Sequence, residues 1–361
     1  MMQMYMFGLI TAFLVTIATV PMVMAFARKW GFVDKPDHRK VHKGNMPRIG
    51  GVAIMFGMAA GVAVLWSQLG EAQNEMGFLI AGAVILAIVG LIDDRFALGA
   101  KTKLIGQTVA AICAASSGLR IEFIQIPFIG NVEFGFLSFI VTIIWILAVI
   151  NSVNLIDGLD GLAAGVTMIA VLTMLIMATG HPLAYASVIV LSLSLLGSTS
   201  GFLLYNFYPA KIFMGDTGSM FLGYAMAVIS MMGLFKSVTM FSLIVPLLIL
   251  AVPFIDTTFA VIRRTLNQQS IGTADKGHLH HCLLAMGYGH RKTVLIIYGI
   301  SMLFGAVAVL FSQTANWVSL VLLVVILCGI MLFAEGIGLI GQKRKPLLKA
   351  LGKMQLVKKL E

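Results

Sequence analysis

The acidic side chains that could do chemistry in this chain stand at the ends of its hydrophobic runs. Asp93 and Asp94 close one run, Asp157 and Asp160 follow a second, Asp216 precedes a third and Asp256 ends a fourth. A carboxylate at membrane depth is costly and usually has a partner, so each marks a candidate functional position. Gathered at one face of a membrane, such groups fit a divalent cation and a phosphate-bearing substrate, because hard cations prefer oxygen ligands.

Four motifs carry this chemistry, each beside a plainer alternative. In LIDDRFALGAKTK the adjacent Asp93 and Asp94 repel unless a cation sits between them; alternatively they are solvated interfacial acids balanced by Arg95 and Lys101. In NSVNLIDGLDGLAAG, Asn151, Asn154 and Asp157 are three apart and share a helix face. Asp160 continues that stripe into a Gly-rich bend where a ligand or helix can approach the backbone closely. An inter-helix turn capped by Asp is the alternative, but two amides and two carboxylates on one line favour a site. In NFYPAKIFMGDTGS, Asp216 opens a helix, where free N–H groups attract anions, or serves only as its cap. Asn206, Lys211 and Phe213 precede it, and Phe213 is placed to stack on a base. Finally, His278, His280 and His281 lie in a segment with Arg263, Arg264, Lys276 and Arg291. Their H-x-H-H spacing matches no established zinc pattern, whereas Arg and His suit phosphate oxygens. Gly336-x-Gly338-x-x-Gly341 fits a dinucleotide fingerprint in letters only, since it ends an apolar run and opens no βαβ unit.

The elements that position these residues are hydrophobic helices. Apolar residues make up 59% of the chain and charged ones 11%, against roughly a quarter charged in soluble domains. Eleven runs are expected to span the membrane: 4–26, 51–69, 77–92, 103–118, 135–152, 161–179, 183–204, 218–235, 238–260, 293–312 and 317–340. Each approaches the length needed to cross about 30 Å of hydrocarbon. The fold class is therefore an all-α polytopic membrane protein. Its basic loop 27–50 orients it by the positive-inside rule, leaving only Arg120 and Lys236 of the Lys and Arg outside. The N-terminus is expected outside and the C-terminus in the cytoplasm. Topology thus accounts for the net charge of +10 without nucleic-acid binding. The first run lacks a basic n-region and a cleavage site, so it reads as a retained span. Cys113, Cys282 and Cys328 form no disulfide or metal pattern. Alternating residues about a Gly-Asn turn in 119–134 predict a short β-hairpin on the outer face. No repeat is visible. Residues 1–342 form a single membrane catalytic domain and 343–361 a basic tail, suited to the anionic inner leaflet or to an ordinary stop-transfer flank.

Taken in order, DDRFALGAKTK, NSVNLIDGLDGLAAG, NFYPAKIFMGDTGS and ADKGHLHH, with the basic loop DKPDHRKVHKGNMPRIGG, resemble the polyprenyl-phosphate N-acetylhexosamine-1-phosphate transferases over residues 28–292. The HLHH form and the RKVHKG…PRIGG loop look like the branch that uses UDP-GlcNAc. The resemblance implies transfer of a sugar 1-phosphate from the nucleotide sugar to undecaprenyl phosphate with release of UMP, in a bacterial plasma membrane, at the cytoplasmic face. It implies Mg²⁺, with Mn²⁺ as a substitute, held by Asp216 and Asp157, and a catalytic pair in Asp93 and Asp94. Asn154, Asp160, Asn206 and Phe213 would line the nucleotide; His278, His280, His281, Arg263 and Arg264 would grip the diphosphate or sugar; Lys43 and Arg48 join this set. Cys282 stands where the family commonly has Arg, which puts a phosphate contact at that position in doubt. Ala97 occupies the last position of a DDxxD pattern, which weighs against a prenyltransferase. Synthesis of lipid I from UDP-MurNAc-pentapeptide is the nearest alternative, and a cation-coupled transporter one of another class, though the latter would place acids near mid-membrane. A homodimer is left open.

Overall fold

The computed structural model describes residues 2–34, 45–126, 130–180, 185–233, 244–269, 277–313 and 316–339. Lys43 and the tail at 343–361 lie outside them. Among the described residues the chain is predominantly helical, because apolar runs in lipid can satisfy their backbone groups only internally. The helices are α1 (Met2–Trp30), α2 (Gly51–Val64), α3 (Gln73–Phe96), α4 (Ala100–Ser116), α5 (Ser138–Ile156), α6 (Leu162–Thr179), α7 (Ala186–Asn206), α8 (Gly215–Gly233), α9 (Ile244–Ile249), α10 (Ala251–Leu266), α11 (Leu279–Ala285), α12 (His290–Gln313) and α13 (Asn316–Ile337). Two antiparallel ribbons complete the fold, β1 (Val33–Asp34) with β2 (Met46–Pro47) and β3 (Phe123–Ile126) with β4 (Gly130–Glu133).

Among the described residues, six helices are long and apolar enough to cross a membrane: Met2–Trp30, Gly70–Phe96, Gly135–Ile156, Leu162–Thr179, Ala186–Asn206 and His290–Gln313. They match six of the eleven expected runs; of the other five, 218–235 falls in α8, 19 residues long with Asp216 in its first turn, its last two residues lying outside the described ones. The run at 51–69 becomes α2, only 14 residues long, followed by short 3₁₀ turns. That at 103–118 becomes α4, whose first turns carry Lys101, Lys103 and Gln107. Of the run at 238–260, residues 238–243 lie outside the described ones, and the rest forms α9 and α10, which part at Leu250, where Pro253 has no N–H for the carbonyl of Ile249. The last run forms α13, 22 residues from Asn316 to Ile337. The expected hairpin is present as β3–β4, pairing Phe123 with Glu133 and Ile126 with Gly130; the turn residues 127–129 lie outside the described ones.

α8 is the centre of the bundle: every residue except Asp216 is buried. It packs against α5, α3, α2, α6 and α7, while α1, α3 and α13 turn Phe7, Leu14, Ile80, Val84, Val321 and Val325 outward, a lipid-compatible belt. Small residues let the backbones meet, as in membrane helix pairs generally. A Cβ on Gly90 of α3 would lie 2.4 Å from Thr217 Cα, and one on Gly51 would lie 2.1 Å from Gly218 Cα. These contacts press α2 and α3 onto the first turn of α8, where the acids converge.

Gly90→Ala should therefore overpack this contact, costing about 1–3 kcal/mol and lowering the midpoint of thermal unfolding in detergent. Gly77→Ala on the same helix, where an added Cβ meets nothing within 4 Å, should not lower it. Equal melting of the two variants would refute the tight α3–α8 seam.

Candidate active site

The residues flanking β2 place the first cation. Phe213 N donates to the Pro47 carbonyl (2.8 Å), Gly50 N to the Phe213 carbonyl (3.0 Å) and Gly51 N to the Met214 carbonyl (2.9 Å). This stitching lays Arg48 beside the start of α8. Its Nη2 is 3.1 Å from Asp216 Oδ2 and its Nε 3.4 Å from Asp94 Oδ1. Burial pulls the Arg48 pKa down, but the carboxylates of Asp94, Asp216, Asp34 and Asp93 outweigh it and hold the guanidinium above its ordinary value. Gly215 turns the chain at φ +74°, and a Cβ there would strike the Arg48 carbonyl at 1.9 Å, so the turn requires glycine on both conformational and steric grounds.

Asp93 and Asp94, adjacent in sequence, do different work. Asp94 accepts from Asp216 N (2.9 Å), Thr217 N (3.1 Å) and Thr217 Oγ1 (2.7 Å). It caps α8 from another helix and thereby fixes Asp216. Asp93 accepts from Leu98 N at 2.7 Å and meets Lys103 Nζ at 2.6 Å. The same ammonium lies 3.1 Å from Asp216 Oδ1, so Lys103 bridges the two acids. Asn154 Nδ2 completes the group, donating to Asp216 Oδ1 (2.9 Å) and Ser219 Oγ (2.7 Å). Lys103 and Ser219 were not assigned a role from the sequence, and Thr217 only that of a candidate helix cap. For Lys103 the available signal was its place ten residues after Asp93, beyond the turn at Ala97 (φ 50°) that folds α4 back on α3.

A cavity of about 230 Å³ opens beside this cluster, with Arg48, Asn154, Asp157, Asp160, Phe213 and Asp216 among its lining. Asp157, just beyond the end of α5, has its carboxyl pushed up to about 7 by burial first and then by the carboxylates of Asp216 and Asp94, against the pull of Arg48. Asp160 accepts from Ala210 N at 3.0 Å. Asn206 also borders the cavity, but both ends of its amide are engaged: Oδ1 accepts from Gly161 N (3.0 Å) and Nδ2 donates to the Ile212 carbonyl (2.9 Å). Its visible work is to staple the Gly-rich bend to the segment before α8.

The histidines form a neighbouring module. Asp256 of α10 is buried, with Oδ2 2.9 Å from His278 Nδ1 and Oδ1 accepting from Leu279 N at 2.7 Å. The His280 and His281 rings lie 4.2 Å apart, with His280 buried and His281 exposed. Burial, then His281, pulls the His280 pKa down to about 4, so its ring is neutral at pH 7. A Cβ on Gly158 would come within 2.5 Å of His280 Nε2; this contact joins the module to the cavity wall. Arg263 and Arg264 are buried at the end of α10, and Arg263 donates to the carbonyl of Leu339 beyond α13. The structure thus brings Arg48, Asp93, Asp94, Asn154, Asp157, Asp160, Asp216 and Phe213 to one place, sets His280 behind it, and engages Arg263 elsewhere.

Among the described residues, no group of three or more His, Cys, Asp or Glu side chains is arranged to hold a metal ion by itself. Mg²⁺ does not need one, since it takes one or two carboxylates and completes its shell with water and substrate phosphates. Crowded acids around Asp216, with a Lys103 ammonium between two of them and a raised Asp157, fit such an open site.

Asp94→Asn should turn an amide donor toward the N–H and O–H groups that Asp94 now receives. The resulting unsatisfied donors should cost about 1–3 kcal/mol, a clear drop in melting temperature. Asp93→Asn keeps an acceptor for Leu98 N and should melt closer to wild type. The reverse order in a thermal unfolding assay would contradict the division of labour.

The comparisons with known proteins agree with this geometry. Residues 76–234 match the model for glycosyl transferase family 4. The chain is 44% identical over 351 residues, 95% of its length and 96% of the relative's, to a probable undecaprenyl-phosphate N-acetylglucosaminyl 1-phosphate transferase of Bacillus subtilis. It is 35% identical over 354 residues, 90% of its length and 86% of the relative's, to a decaprenyl-phosphate N-acetylglucosaminephosphotransferase of Mycobacterium tuberculosis. A phospho-N-acetylmuramoyl-pentapeptide-transferase of Bacillus velezensis is 28% identical over 329 residues, covering 85% of this chain and 97% of its own. With end-to-end likeness at this level and the acids of its motifs gathered at one cavity, the chain belongs to glycosyl transferase family 4, among its polyprenyl-phosphate sugar-1-phosphate transferases.

Proposed function

We propose that the protein transfers N-acetylglucosamine 1-phosphate from UDP-GlcNAc to undecaprenyl phosphate, yielding undecaprenyl-diphosphate-GlcNAc and UMP, as the first membrane step of a cell-envelope polysaccharide such as a teichoic acid. The observation that carries this reading is the 44% identity, over nearly the whole of both chains, to a relative named for that reaction. The GlcNAc-named relatives are more similar than the pentapeptide transferase, which favours the simpler sugar. The orientation follows the basic loops: eleven spans, the N-terminus outside, the C-terminus and the site at the cytoplasmic face of a bacterial plasma membrane. A homodimer remains compatible with this arrangement.

In the proposed reaction an oxygen of the lipid phosphate attacks the β-phosphorus of UDP-GlcNAc. The bond from that phosphorus to the bridging oxygen breaks, and UMP leaves with the oxygen. A phosphate monoester has its second pKa near about 6, so the acceptor needs little deprotonation at neutral pH. Asp93 then serves mainly to orient the acceptor, in keeping with the Leu98 and Lys103 contacts that occupy both its oxygens. Arg48 and Lys103, released from Asp216 by an arriving diphosphate, bind its oxygens through charge-assisted hydrogen bonds. Phe213 stacks on the uracil, Asn154 and Asp160 border the nucleotide, and neutral His280 donates one hydrogen bond toward the diphosphate or sugar. Asp216 and Asp157 would hold Mg²⁺ or Mn²⁺, which would supply charge neutralisation for the diphosphate.

Purified protein given undecaprenyl phosphate, UDP-GlcNAc and Mg²⁺ should release UMP, with chelation stopping release and Asp216→Asn lowering kcat by about 100-fold or more. Full turnover in Asp216→Asn would remove it from the reacting centre; release only with UDP-MurNAc-pentapeptide would move the protein to lipid I synthesis. Because one diphosphate is exchanged for another, excess UMP should return labelled UDP-GlcNAc from the lipid-linked product. A strictly one-way reaction would contradict direct exchange.

A further inference from the structure

The transfer chemistry described above makes no use of Asp256, yet it is among the most enclosed acids of the chain, at 1% exposure. A carboxylate in such a place must recover its lost hydration through hydrogen bonds. Asp256 has two, on different oxygens: Oδ2 with His278 Nδ1 and Oδ1 with Leu279 N. The first holds a ring, the second the opening backbone of α11, which carries His280 and His281. The two rings His278 and His280 lie nearly parallel, 6.0 Å apart and inclined by 6°. Asp256 and His280 also wall one small apolar void with Ile156, Leu162 and Ile297, so the acid backs directly onto the helix ends that frame the cavity.

We infer that Asp256 is the positioning residue of the histidine module, fixing the His278 tautomer with one oxygen and the α11 backbone with the other, so that His280 is delivered against Gly158 in the cavity wall. With the carboxylate accepting, the shared proton resides on His278 Nδ1. Such a carboxylate–imidazole pair sets which ring nitrogen is available to a partner, and the same carboxylate locks the segment that presents the second histidine. Asp256 acts through His278 and α11; it does not touch the reacting atoms. This assignment rests on the transferase reading only for its kinetic consequence, since the ring state is a property of the protein itself.

Asp256→Asn separates the two duties. The asparagine oxygen can still accept from Leu279 N, but its NH₂ must donate to His278 Nδ1, which forces the ring proton onto Nε2. Nitrogen NMR of histidine-labelled protein in detergent, with the His278 signals identified by their absence in His278→Ala, should show protonated Nδ1 in the wild type and protonated Nε2 in Asp256→Asn. UMP release by Asp256→Asn should fall by about 100-fold or more in kcat, with KM for UDP-GlcNAc within about threefold, while the melting temperature stays close to wild type. Combined with His278→Ala, Asp256→Asn should add no further loss, the signature of two residues acting as one unit. An unchanged ring tautomer, wild-type kcat, or additive losses in the double variant would each overturn the assignment. If the wild type released no UMP, the transferase reading would fall, and the NMR comparison would still decide the positioning role.

Discussion

The grip of Asp94 on the first turn of α8 is the contact on which the rest of the site depends. Helix N-termini leave four amides without partners, and this one is buried at the heart of the bundle. Asp94, with its side chain fully enclosed, takes up two of those amides and the Thr217 hydroxyl. A buried charge is tolerated only when paired and hydrogen-bonded, and Arg48 supplies the pairing. Several sequence features follow from this one requirement. Gly215 gives the left-handed turn, Gly90 allows α3 to reach the α8 backbone, and Gly51 brings the Arg48 segment close. With these in place Asp216 is the one residue of α8 not buried, turned toward the cavity at the end of an otherwise enclosed helix.

The electrostatics of the cluster describe a place prepared for a charged ligand. Asp216 alone contacts Arg48, Lys103 and Asn154, and Asp157 nearby is pushed up by burial and neighbouring acids. The two cations are thus committed to protein carboxylates, and the carboxylates are crowded. In the proposed reaction the phosphates of the donor would take over the basic side chains, and Asp216 and Asp157 would hold the divalent cation. Positions at helix ends make this affordable, since acids placed deeper would lose all access to water. Five chain segments, the Arg48 loop and α3, α4, α5 and α8, contribute these groups, so no single motif is a site by itself.

How much of this could be read beforehand differs by residue. The acids at the ends of apolar runs, and the one-face spacing of Asn154 and Asp157, were legible because cost and helical period both leave marks in a linear sequence. Asp93 and Asp94 looked equivalent, since adjacency says nothing about which way each carboxylate points; only the packing of α3 on α8 assigns one to the helix cap and the other to the ammonium of Lys103. Asn206 was singled out through the resemblance as a nucleotide contact; it borders the cavity, and the packing adds what the sequence did not show, that its amide also holds two backbone groups. Lys103 escaped because a lysine at a span boundary normally reports topology. The spans show the same limit. The run 238–260 is mostly apolar, but a proline three residues past Leu250 divides the helix, and hydropathy alone is blind to a missing N–H.

The histidine module illustrates a different kind of dependence. Its three rings sit in a segment that a helix of only seven residues organises, too short to hold shape by helix formation alone, since isolated helices this size are unstable in water. Order must come from outside. Asp256 provides it from the neighbouring α10, Gly158 provides a surface without a side chain for His280 to rest against, and Arg263 ties the same α10 to the end of α13. A neutral His280 can stand against that surface, whereas a protonated ring there would need its own counter-charge. The α8 cluster is held by charge balance and the histidine module by a buried carboxylate acting on backbone and ring together. The two meet at a glycine because only a residue without a side chain lets the second approach the cavity of the first.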